Sequence, residues 1–131
     1  VAMPGEEPVV RTIVGMDEAS GALFFAGNVP TGAQVRLMRA NFDRIIGGAF
    51  DAADASKGQH AAELALLISC VGRRQVLKQR TEEETEAVRE VLGPNPVLTG
   101  FYSYGELAPV TRGARCQLHN QTMTVTTFSE G

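Results

Sequence analysis

The chain is poor in the residues that staple a fold, bind metal or stack on nucleic acid. Its 131 residues include two cysteines, two histidines, two tyrosines and no tryptophan. Cys70 and Cys116 alone build no disulfide scaffold. Both lie in strand-like runs, where a thiol behaves as a small hydrophobe. No CxxC or Cys/His spacing offers a zinc site, and no metal or cofactor is expected. Basic charge is also scarce. Twelve Lys and Arg against fifteen Asp and Glu leave a formal net charge of −3. That excludes the positive footprint of a nucleic-acid binder. No apolar run is long enough to span a bilayer, and no secretory pattern opens the chain. No membrane contact by this segment is expected, and the expected compartment is the cytoplasm.

What is present fits an ordinary globular domain: 44% hydrophobic and 21% charged residues. The length suits a single domain over 1–131, with its core at about 9–128. The first residue is Val1, and the segment is expected to be a fragment of a larger protein.

Periodicity sets the elements. Val9–Met16 and Ala22–Asn28 read as a hairpin turning at Glu18–Gly21. Ala33–Met38 reads as a third strand. Asn41 is placed to cap a helix whose apolar stripe is Phe42, Ile45, Ile46, Ala49, Phe50 and Ala53. Gly47 and Gly48 interrupt that stripe, and the helix is expected to end near Lys57-Gly58. Ala65–Val71 is a strand pattern apolar on both faces. Thr81 and Glu84 have capping-box spacing, Ala87, Val88, Val91 and Leu92 follow as a buried face, and Gly93-Pro94 stops the second helix. Val97–Tyr104 is the next strand, Leu107–Gly113 a loop, and Ala114–Phe128 a long last strand. Its apolar positions are even at Cys116 and Leu118 but odd at Met123 and Val125. A strand keeps its faces unless a bulge or break intervenes. A bulge is therefore expected within His119–Thr122. The expected fold is α+β: a single mixed, mainly antiparallel sheet with two helices packed on one face, in the order βββαβαββ.

Three clusters carry polar side chains at strand ends: Ser69-Cys70-Val71-Gly72-Arg73, Gly100-Phe101-Tyr102-Ser103-Tyr104-Gly105-Glu106, and His119-Asn120-Gln121-Thr122. Such convergence is how a fold lines a small-molecule pocket. Extended to Ile68–Arg74, Gly100–Glu106 and Cys116–Met123, the clusters resemble in order and separation the C-terminal FIST domain of signal-transduction proteins. The likeness runs roughly from Val9 to Phe128. It implies a sensory module for small ligands, with amino acids as the ligand class. It also implies a companion N-terminal FIST domain and a downstream signalling domain or protein. It carries no catalytic residues.

The candidate ligand-binding residues are Cys70, Arg73, Tyr102, Tyr104, Gly105, Glu106, His119, Asn120, Gln121 and Thr122. Arg73 offers a planar fork for a carboxylate, and Glu106 a carboxylate for an ammonium. Together they would match the two poles of an amino acid, or simply pair with each other. Asn120 and Gln121 bring amides. Tyr102 and Tyr104 share a face as pocket walls or core cover. Arg74, His60, Lys57, Arg80 and Glu82–Glu84 read as solvated. Two other classes stay open. One is an enzyme with Cys70 as nucleophile, His119 as base and Asn120 as orienter, although an apolar strand does not favour a thiolate. The other is a chorismate-mutase-like oligomeric module with clefts between subunits, a fold-level analogy drawn from element order.

Overall fold

A computed structural model of the chain describes residues 1–5, 7–109 and 113–130. In chain order the elements are β1 (Ile13–Asp17), β2 (Ala22–Phe25), α1 (Phe42–Ala55), β3 (Leu64–Cys70), α2 (Val71–Leu77), α3 (Glu82–Leu92), β4 (Val97–Ser103), β5 (Glu106–Ala108), β6 (Gln117–His119) and β7 (Met123–Phe128). The class is α+β as expected. The single sheet is not. The strands divide into a hairpin β1-β2, a central sheet β4-β3-β7 and a short pair β5-β6.

Each departure from the expected order has a local cause. Ala33–Met38 forms no strand, because Gln34 alone finds a bridge partner, Ala2. Val35 and Leu37 stay exposed there, and an extended segment without a ladder has nothing to hold it. The long last strand does break where its parity changes. Gln121 adopts a left-handed conformation with φ 62°. The break is larger than a bulge: β6 pairs with β5 and β7 pairs with β3, in different sheets. The expected loop after Tyr104 begins with a strand, β5. Its residues 110–112 lie outside the described residues. A third helix, α2, starts immediately after β3.

The central sheet is mixed. β3 and β4 run parallel, with Leu64 opposite Val97 and Cys70 opposite Ser103. The crossover through α2 and α3 returns the chain to the end where β3 began, and parallel pairing requires that. β7 lies antiparallel on the other side of β3, with Leu64 opposite Phe128.

Alternation along β3 points Ala65, Leu67 and Ser69 toward the helices, and all three are buried. Ala49 and Ala53 of α1, Ala87 and Val88 of α3, and Met123 of β7 complete that core. The alanines bring the helices close to the sheet, so the two anticipated helices share one face. α1 is capped as read, Asn41 Oδ1 accepting from Arg44 N at 3.0 Å. α3 ends at Gly93, φ +83°, whose N–H reaches Arg89 O at 2.9 Å. The expected box at its start does not form. Thr81 Oγ1 donates to Lys78 O instead, and Glu84 turns inward.

Candidate functional site

Because α2 follows β3 with no linker, the strand end and the first helical turn form one rigid corner. Arg73, in that turn, sends its side chain back under the sheet, where 3% of the residue is exposed. Its Nε donates to Glu84 Oε1 at 2.5 Å. Nη2 donates to Ile45 O of α1 at 2.6 Å, and Nη1 to Gln121 O at 3.3 Å. Ser69 Oγ donates to Glu84 Oε2 at 3.3 Å. The guanidinium thus ties α1, α3 and the break between β6 and β7 to one point. Gly48 marks its approach to α1, since a side-chain carbon there would lie 3.5 Å from Nη1.

The partner of Arg73 is therefore Glu84, not Glu106. Glu106 is buried too, but its carboxylate accepts from Ser103 Oγ at 2.5 Å and Thr122 Oγ1 at 2.7 Å. Its backbone pairs with His119 across β5-β6. His119 Nε2 donates to Ala108 O at 3.0 Å. Asn120, 1% exposed, accepts on Oδ1 from Thr12 N at 3.3 Å. Gln121 Nε2 donates to Thr12 Oγ1 at 3.3 Å. These two amides and Arg11, whose Nη1 donates to Leu118 O at 3.0 Å, fasten the N-terminal hairpin segment to the break. Cys70 is buried, and its backbone N–H donates to Thr122 O at 3.0 Å. Gly105 allows a close approach, since a side-chain carbon there would stand 2.9 Å from Leu118 Cδ1.

Arg73, Glu106 and the His119–Thr122 break do converge. They converge as a closed, paired network, and among the described residues no buried side-chain nitrogen or oxygen lacks a partner. The open space lies beside it. A cleft of about 260 Å³ sits between α3 and the helix-facing side of β3 and β4, with Leu67, Leu98, Met123 and Tyr102 among its walls. Ser69 and Glu84 form its buried polar part, and Thr85 and Thr99 also line it. Register sets Leu98, Gly100 and Tyr102 on the helix-facing side, opposite Ala65, Leu67 and Ser69. Gly100 lies on the cleft lining between Leu98 and Tyr102. The strand itself comes so close that a side-chain carbon at Gly100 would overlap Leu67 O.

Of the ten candidate residues, Tyr102 lines this cleft. The Arg74 guanidinium lies 5.3 Å from its ring centre. Burial, and next the negative charge of Glu84, push the Tyr102 hydroxyl above its ordinary pKa. Tyr104 follows the strand end and is 88% exposed, so the two tyrosines do not share a wall. The sequence reading left out Ser69 and Glu84. Ser69 was visible as the polar residue of an apolar strand, whereas Glu84 was hidden behind its capping-box spacing. Arg80, expected in solvent, forms a forked pair with Glu83 at 2.7 and 2.8 Å and reaches Asp43 at 3.2 Å. The hydrogen bonds from Arg80, and after them its charge, hold the Glu83 carboxyl below its usual range. Among the described residues, no His, Cys, Asp and Glu group is arranged to hold a metal. Nor is any described helix long and apolar enough to cross a membrane.

Residues 1–109 match the FIST C domain. The chain belongs to that family. The FIST C match takes in Arg73, Glu84, Glu106 and the cleft walls other than Met123. It stops short of the third cluster, so the likeness expected through Phe128 is carried by the first two. Comparison with curated proteins and with solved structures returned no match. FIST C domains are associated with sensory roles in signal transduction.

Proposed function

We propose that this FIST C domain is a cytoplasmic sensory module that binds a small ligand, an amino acid, without turning it over. It acts beside a companion N-terminal FIST domain and passes its state to a signalling partner. One observation carries the reading. The buried polar part of the cleft, Ser69 and Glu84, is hydrogen-bonded through Arg73 to α1 and to the break before β7. A ligand that touches Glu84 therefore bears on the one side chain that joins three elements. Shifting an equilibrium requires such differential contact. In this reading Arg73, Glu106 and the His119–Thr122 break frame the site, and Tyr102 faces the ligand.

A binding role is also favoured by the fate of the Cys–His pair. Cys70 is buried in a strand end, and His119 Nε2 is engaged by Ala108 O. The order βββαβαββ, which suggested an oligomeric module with intersubunit clefts, is not the observed order.

Isothermal titration of the chain against the common amino acids tests the proposal. Saturable binding of at least one, with the ligand recovered unchanged, is the expected result. Silence across the panel, both for this chain and for a longer protein that includes a companion domain, would refute it.

A further inference from the structure

The cleft over Gly100 is chemically selective. Leu67, Leu98, Met123 and Tyr102 give it apolar and aromatic walls. Its polar part is uncharged in sum, because Glu84 is already paired with Arg73. An ammonium group brought there would lose its water and lie close to the guanidinium that shares the same carboxylate. A carboxylate brought there would face Glu84. Both are costly to bury. A neutral donor is not. An ionised carboxylate offers roughly four acceptor positions, and Glu84 uses them only for Arg73 Nε and the longer contacts from Ser69 Oγ. The space itself is about 260 Å³, between α3 and the helix-facing side of the sheet. A planar ring is the group that such a gap admits, and the Met123 thioether and Tyr102 ring make favourable contacts with one.

Resting on the reading of the domain as a small-ligand binder, we propose that the cleft takes an aromatic ring bearing a single neutral O–H or N–H donor. The ligand is a phenol or an indole, with the donor directed at Glu84 and Ser69. Arg74, whose guanidinium lies 5.3 Å from the Tyr102 ring centre, supplies a cation for a carboxylate on the same ligand. Among amino acids, tyrosine and tryptophan meet both conditions and phenylalanine meets only one.

The test is a titration of the 131-residue chain with tyrosine, phenylalanine, tryptophan and 4-cresol, followed by the remaining amino acids. The chain has no tryptophan, so the fluorescence of added tryptophan gives a second readout. Tyrosine should bind tighter than phenylalanine by about tenfold or more, the worth of one hydrogen bond to a charged acceptor. Ser69→Ala should narrow that ratio. Thr85→Phe should abolish binding, because Thr85 is an exposed residue of α3 on the cleft lining. Circular dichroism matching the unsubstituted chain shows that each variant is folded. Equal affinity for tyrosine and phenylalanine, or binding of any amino acid that survives Thr85→Phe, overturns this assignment and leaves the sensory reading standing. No binding of any of these compounds by the chain overturns this assignment, and the same silence from a longer protein that includes a companion domain removes the sensory reading as well.

Discussion

Arg73 Nε lies 2.5 Å from Glu84 Oε1, with side chains 4% and 1% exposed. Burial on that scale makes the pair indispensable as a pair rather than valuable as an attraction. Removing one member strands the other charge in a low-dielectric interior, at a cost of about 3–5 kcal/mol. Arg73→Met and Glu84→Leu should each lower stability by that order, measured by urea unfolding. The double variant should recover much of the loss. Additive losses in the double variant would show that the two side chains act independently.

Two glycines give opposite forecasts for the same substitution. At Gly100 an added carbon meets the Leu67 backbone carbonyl, which cannot move without parting β3 from β4. Gly100→Ala should cost about 1–3 kcal/mol, the usual price of overpacking. At Gly72 the added carbon meets the far end of the Gln121 side chain, which can swing away by giving up its hydrogen bond to Thr12 Oγ1. The helix propensity gained there, about 1 kcal/mol, offsets the displacement. Thermal melts of the two variants should differ clearly, and a larger loss for Gly72→Ala would contradict the geometry.

Tyr102 gives a prediction in pH. Burial, followed by the charge of Glu84, raises the pKa of its hydroxyl in the folded chain above the ordinary 10.0. The folded state therefore holds this proton more tightly than the unfolded state. The stabilisation is complete below pH 10 and is lost as pH rises through the folded pKa. Urea midpoints for the unsubstituted chain and for Tyr102→Phe should run parallel near neutrality. Above pH 10 the unsubstituted chain should lose stability relative to the variant. A constant difference across that range would show no coupling between this hydroxyl and folding.

What was legible in the sequence was local. Asn41, Gly93 and the turn before Gly21 each declare themselves through a conformational need that neighbouring residues satisfy. The parity change between Leu118 and Met123 located the break to within four residues, because face alternation is a strict geometric constraint. What was hidden was the identity of tertiary partners. The sequence reading offered Arg73 only Glu106 as a partner, and the packing of α3 supplies Glu84 instead. The start of α2 was invisible for a related reason. Val71 continues an apolar run, and Cys70 makes no side-chain cap that would announce a helix. The cleft was harder still, since its walls come from α3, β3, β4 and β7, which only the tertiary packing brings together.

The placement of β3 constrains how the protein can be made. Its parallel neighbour β4 is translated soon after it. Its antiparallel neighbour β7, which sets Phe128 against Leu64, leaves the ribosome much later. During synthesis one flank of β3 therefore waits without its ladder, open to intermolecular pairing, and a nascent chain stalled before Met123 is the form that a chaperone would have to shield.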